Sequence, residues 1–242
     1  YRTFAEATDG MTDARRAPGT PDTGGNVSLY NEHPEGAIFP TPTIGMLGVV
    51  DDLETQPTTA GFKQPGDVLF LLHPSGWVHP DSIGGTEYLS FVHDRTTGDA
   101  PHLDLDEEVA VQAATRALIR EGIVQHAHDI SDGGLAMSLA ESVIHSDGLG
   151  ADVDLPPPRG GTRLDAILFG EAQSRVVLSV QPRSVTALEA TLAEHEGVAA
   201  HQLGRVTEGD LRLHIDGTRV LAAPHAALAA PYETAIPAAV SS

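Results

Sequence analysis

Apolar residues Phe4, Ala7, Met11 and Ala14 recur at helical spacing and give way to Pro18-Gly19, so the chain is predicted to open on an amphipathic helix. A glycine-rich loop follows. Thr43 to Val50 is an apolar run between Pro40 and Pro42 on one side and Asp51-Asp52 on the other, the pattern of a buried strand. Residues 54–64 mix Thr, Gln, Pro and Gly with neither period, and they read as a linker. Val68 to Leu72, again continuously apolar, starts a second unit with a strand.

In that second unit Asp104 stands where a helix cap is expected. Glu107, three residues on, is placed to reach back, and Val109, Ala113 and Ala117 supply an apolar row that stops near Gly122. Val124 to Ala127 reads as a short strand running into Asp129-Ile130-Ser131-Asp132-Gly133-Gly134. Leu135, Leu139 and Val143 mark the next helix. A loop from Pro156 to Gly161 precedes strands near Val176 to Val180 and Leu211 to Ile215, which bracket a helix carrying Val185, Leu188 and Leu192. The alanine-rich end, with Pro231 and Pro237, is expected to form one short helix and a frayed terminus. This mixture of elements implies an α+β layered fold.

With 242 residues and 40% apolar content, the chain can bury a substantial core as one large domain or two smaller ones. No apolar run approaches membrane-spanning length, so no membrane anchor is expected. The absence of cysteine excludes disulfides and thiolate metal sites and permits a reducing cytoplasm; any metal would take oxygen or imidazole ligands. A formal charge of -20 repels nucleic acid and anionic membranes, which are therefore not expected partners. A phosphate ligand would need local help from backbone N–H groups or from a divalent cation. Tyr1-Arg2 shows neither a methionine nor a leader, which reads as a chain cut from something longer.

Chemistry-bearing residues fall in a few places. In Gly24-Gly25-Asn26-Val27-Ser28 adjacent glycines let backbone approach a phosphate, while an amide oxygen suits magnesium and a hydroxyl suits a phosphate or ribose oxygen. On the local pattern alone a polar turn before a strand explains the same residues. Asp129 and Asp132 flank the second glycine loop, where a carboxylate could hold magnesium or where Asp132 or Ser131 could simply cap the helix. His126 and His128 could pair on a metal, although alternation along a strand places both on one face for packing, which is the preferred reading. Glu171, Gln173 and Arg175 alternate on a segment read as extended and could share a face towards a polar ligand, and Glu87 reads either as a ligand or as a solvated loop acid.

The continuous string Gly25-Asn26-Val27-Ser28-Leu29-Tyr30-Asn31-Glu32 and the following Pro40-Thr41-Pro42-Thr43-Ile44-Gly45-Met46-Leu47-Gly48 resemble the signature of the phosphoribosylformylglycinamidine synthase family. Gly84 to Leu89, His126 to Glu141 and Phe169 to Arg175 are similar to further segments of that family, in its order. Pro18, Asp22, Thr23, Gly24 and Ala172 depart from its pattern.

The resemblance implies an aminoimidazole ribonucleotide synthase-like arrangement. Residues 1–57 would be the C-terminal piece of the second N-domain, 58–225 an α/β-layered C-domain of the same superfamily, and 226–242 a tail. It implies an ATP-dependent carbon–nitrogen ligase with glutamine as amido donor, acting on formylglycinamide ribonucleotide in purine synthesis in the cytoplasm. ATP and Mg2+ would be its cofactors, and its partners would be the missing N-terminal half and a glutaminase subunit or domain. Gly25 would touch ATP, Asn26 would ligate magnesium and Ser28 would hydrogen-bond the substrate nucleotide. No catalytic residue is assigned, because that family's catalytic histidines lie in the first half. Competing expectations are a noncatalytic module bracing the catalytic half, and a sibling synthetase or kinase of the same superfamily.

Overall fold

The computed structural model describes residues 2–28, 32–39, 41–50, 58–76, 83–158 and 162–240. The chain divides into two compact units, residues 1–51 and 52–242.

The first unit contains helix α1 (Arg2–Arg16) and a two-residue antiparallel pair, β1 (Glu32–His33) with β2 (Gly36–Ala37). The helix forms as its periodicity predicts, with Arg15 and Arg16 in the last turn, where cations favour the carbonyl end. It buries none of its residues, and Phe4 is exposed. The expected buried strand over Thr43 to Val50 is not formed: the segment has no regular structure, and Leu47 is 96% exposed. An apolar run becomes a strand only beside an edge that takes its amides and a surface that covers its side chains. The single ladder among the described residues of this unit is two residues long and offers neither.

The second unit is built on a seven-stranded sheet. In chain order its elements are β3 (Val68–Pro74), α2 (Glu87–His93), α3 (Leu105–Arg120), β4 (Val124–Asp129), α4 (Gly134–Ile144), β5 (Leu149–Leu155) and α5 (Leu164–Phe169). There follow β6 (Val176–Val180), α6 (Val185–Ala193), β7 (Val198–Glu208), β8 (Leu211–Ile215), β9 (Thr218–Ala223) and α7 (His225–Val240). The strand order is β4-β6-β3-β7-β5-β8-β9, antiparallel throughout except for the parallel pair β5–β8.

β3 reads as a continuous apolar run because helices cover both of its faces. Val68, Phe70 and Leu72 pack with Val111, Ala114 and Leu118 of α3 and Leu188 of α6. Leu69 and Leu71 pack with Leu135, Leu139 and Val143 of α4 and Ile167 of α5. The mixed α+β class is therefore as expected.

Three local expectations are corrected. The buried row of α3 is Val111, Ala114 and Leu118, one position round from the half-buried Val109, Ala113 and Ala117, although Asp104 does cap the helix through Asp106 N and Glu107 N. The supposed linker does not extend to residue 64, since Thr59 bridges to His126 and Phe62 is buried against the sheet core; residues 54–57 lie outside the described residues. The chain's end is a 16-residue helix rather than a short one, anchored by Ala229 and by Tyr232 set edge-on to His145 at 5.4 Å. Its alanine content favours helix at the many positions where Pro231 and Pro237 do not interrupt the bonding. Gly160 and Gly161 of the expected proline-rich loop lie outside the described residues, as does Arg159.

Candidate functional site

The Gly24 to Ser28 segment lies in the first unit, after the end of α1. Gly19, at φ +73°, reverses the chain there; its N–H donates to Arg16 O, and that of Thr20 donates to Arg15 O at 2.9 Å. Arg15 then pairs with Asp22 at 2.7 Å, which holds the start of the segment to the helix. From residue 21 to 28 the backbone is irregular and exposed. A Cβ built on Gly24 or Gly25 meets nothing within 4 Å, so packing among neighbouring residues does not demand glycine at either position. Asn26 and Ser28 are exposed beside them. Open backbone next to a neutral amide oxygen and a hydroxyl can approach a phosphate and contribute one ligand to a hard cation. Among the described residues no group of three or more His, Asp or Glu side chains could hold a metal.

The second glycine loop is closely packed at Gly134, where a Cβ would meet the backbone at the end of α5. Asp129 ends β4 and is exposed, as is Asp132. The expected cap by Asp132 or Ser131 is not made: the N-cap of α4 is Gly133 at φ +78°, with no side-chain cap bond. A carboxylate from far along the chain takes that place. Glu171 Oε1 accepts from the Gly133 N–H at 2.8 Å and from the Glu87 N–H at 2.9 Å, so one oxygen serves the starts of both α4 and α2. Thr86 caps α2 through the Leu89 N–H, and Tyr88 stacks on Phe169 at 4.7 Å with rings 3° from parallel. Helix α2 was not anticipated from periodicity, since none of its residues is buried.

Glu171, Gln173 and Arg175 do not share a face. Ser174 sits at φ +60°, which breaks the extended run. Gln173 is left exposed and Arg175 is turned inward to 3% exposure. Its Nε donates to Ala172 O at 2.9 Å and its Nη2 to Gly170 O at 2.8 Å. Burial holds its pKa down to about 10, which leaves it a cation at neutral pH.

His126 and His128 both turn towards α4. His128 Nε2 lies 3.0 Å from Glu141. His126 is fully buried against Phe62, and its Nε2 lies 2.9 Å from Ser142 Oγ. Ser142 gives its own proton to Ser138 O at 2.7 Å, so His126 is the donor to it and is held as the Nε2–H tautomer. Burial, with smaller contributions from the charges of His128 and Lys63, pushes the His126 pKa down to about 3. Unfolded histidine titrates near 6.5, so between those values the unfolded chain binds the extra proton. The stability held by neutral His126 is therefore present above pH 6.5 and is lost as pH falls towards 3. Half-buried His73 is lowered too, again chiefly by its loss of solvent, and acts in the same direction. The urea midpoint is expected to drop between pH 7 and pH 4.5, and His126→Gln is expected to make that drop shallower; an unchanged slope would contradict the assignment.

Comparison with known proteins places the chain in a family. The model of the AIR synthase related protein, C-terminal domain, matches residues 64–216. The phosphoribosylformylglycinamidine synthase subunit PurL of Salinibacter ruber is 68% identical over 241 residues, covering 100% of this chain and 32% of the relative. PurL of Moorella thermoacetica is 44% identical over 214 residues, 88% of this chain and 28% of the relative. The chain thus spans about a third of the length of the curated relatives it matches. Among solved structures, Thermotoga maritima PurL complexed with FGAR superposes with a TM-score of 0.60 at 22% identity, over 71% of this chain and 29% of that one. The chain therefore belongs to the AIR synthase related family, carries that family's C-terminal domain, and is similar along its whole length to phosphoribosylformylglycinamidine synthase subunits.

Proposed function

We propose that this chain is one part of an ATP-dependent ligase that converts formylglycinamide ribonucleotide and ammonia to formylglycinamidine ribonucleotide in purine synthesis. The observation that carries the reading is 68% identity to a PurL subunit over the whole chain. It is supported by the T. maritima PurL complexes with FGAR and with ATP, the latter superposing at a TM-score of 0.55. Residues 1–57 are the C-terminal piece of the second N-domain, residues 58–225 the second C-domain and residues 226–242 a tail. The ammonia comes from glutamine through a glutaminase subunit or domain, and the enzyme is cytoplasmic. Among the described residues no helix is long and apolar enough to cross a membrane.

The chain's own contribution centres on the exposed segment after α1. Gly25 brings backbone close to the ATP phosphates, Asn26 Oδ1 ligates Mg2+, and Ser28 Oγ donates to the substrate nucleotide. Ser28 positions rather than attacks. Magnesium, when bound, would offset the negative charge of the triphosphate as its terminal phosphoryl group is transferred and ADP leaves. A neutral amide suits that place because it orients the cation without adding a charge that the other ligands must balance. The neighbouring half of the enzyme supplies the remaining ligands and the catalytic groups, so this chain alone is inactive.

A second reading applies to residues 58–225: a brace for the catalytic half, with no chemistry of its own. Glu171 favours it, because the carboxylate that might face a ligand is already committed to two helix starts. The test of the main reading is turnover. Full-length protein given formylglycinamide ribonucleotide, ATP, Mg2+ and ammonium should release phosphate only when the ribonucleotide is present, and the 242-residue chain should release none. Phosphate release that ignores the ribonucleotide would overturn the proposal.

A further inference from the structure

The sheet of the second unit ends at β9, whose inner edge pairs with β8. Among the described residues nothing pairs with its outer edge, and the backbone of Thr218–Ala223 makes no hydrogen bond other than those to β8. At the opposite end of the sheet β4 is bridged by Thr59. An unpaired edge presents a row of N–H and C=O groups that can take up one more strand.

The side chains on either face of β9 decide what that strand can be. On the face that α3 and α6 cover further in, β5, β8 and β9 carry charged groups. Asp152 lies 3.3 Å from Arg212 and 3.1 Å from His214 Nδ1, and Asp154 accepts from the Gly217 N–H at 3.1 Å. Those contacts occupy both carboxylates. Arg219, in register with His214, is exposed and has no carboxylate partner among the described residues, so a cation is left at the edge of a chain whose formal charge is -20. On the other face Leu221, in register with buried Leu213, is 40% exposed. A lone arginine on an edge discourages indiscriminate pairing and admits a strand that brings the opposite charge. A nucleic acid or a lipid surface offers neither a backbone ladder nor alternating side chains, so the edge calls for a polypeptide. We propose that the outer edge of β9 takes up an extended segment of a separate polypeptide that alternates acidic and apolar residues, the acidic side chains meeting Arg219 and the apolar ones Leu221.

This surface is independent of the segment around Asn26, so its failure leaves the ligase reading intact. The test titrates full-length protein into a fluorescent, capped peptide alternating glutamate with valine and follows anisotropy. The acidic peptide should bind saturably and at least about tenfold more tightly than the same peptide with lysine for glutamate. Methylating its backbone nitrogens should abolish binding, because the ladder then lacks donors. Arg219→Glu should reverse the preference between the two peptides, and Arg219→Ala should remove it without reversing it. Equal affinity for the two peptides, or a preference that survives both substitutions, would overturn the proposal. No binding of the acidic peptide, as when another part of the full-length protein already holds the edge, would overturn it too. Full-length protein that sediments as a dimer broken by Arg219→Glu would give the edge to a second copy and so also contradict it.

Discussion

Replacing Gly134 by alanine should cost the second unit more than about 3 kcal/mol of stability. Two effects add. Gly134 sits at φ +70°, where an alanine pays about 1–2 kcal/mol in backbone strain. An added Cβ would also stand 2.7 Å from Gly170 O and Phe169 C and 2.8 Å from Leu168 O. All three atoms are backbone at the end of α5, so no side chain can swing away, and α4 and α5 would have to part.

Gly148 provides the control. Its φ is +67°, but a Cβ there meets nothing within 4 Å, so Gly148→Ala should lose only the strain. Urea unfolding of both variants separates the two effects: the midpoint of Gly134→Ala should fall well below that of Gly148→Ala. Equal midpoints would mean that the contact between α4 and α5 is looser than described.

Asn26→Ala in the full-length protein should lower turnover by about 100-fold, the size of effect seen when one preorganised group facing developing charge is removed. The loss should not come from unfolding, because Asn26 is exposed on an irregular segment. Its unfolding free energy is expected within about 0.5 kcal/mol of the parent's. Asn26→Asp keeps an oxygen ligand and should retain more turnover than Asn26→Ala. Ser28→Ala should act mainly on KM for the ribonucleotide, as befits a group that positions substrate. Turnover of Asn26→Ala close to that of the parent would remove the segment from the active site.

Much of the second unit was legible because burial and periodicity agree there. β3 and β6 are short, mostly apolar runs, β8 alternates apolar with polar residues, and α4 shows its buried row directly as Leu135, Leu139 and Val143. β7 escaped because its alternation is broken at Gly204, beside a register shift opposite Leu69 and Phe70, and because its first residues are only half buried. β9 escaped because nearly all of its residues are exposed, leaving no apolar period to read. The run from Thr43 to Val50 misled for the converse reason: it has a strand's composition without a neighbour to pair with. Residue type is local, whereas burial belongs to the assembled fold.

The candidate site was legible in a different way. Gly25, Asn26 and Ser28 stood out through resemblance, since on the local pattern alone a polar turn is the better explanation. Glu171 was noticed as a polar residue on an alternating segment, but its role could not be read. Its partners, Gly133 and Glu87, lie 38 and 84 residues away, and only the folded chain brings the three together. The same holds for Arg175, whose inward turn depends on the positive φ of Ser174.

The most direct test of the role given to the Asn26 segment is a calorimetric titration of a nonhydrolysable ATP analogue into full-length protein, with and without Mg2+. Magnesium should tighten binding to the parent by at least about tenfold, and Asn26→Ala should lose most of that gain while keeping its magnesium-free affinity. An Asn26→Ala protein in which magnesium strengthens binding as much as in the parent would contradict the account.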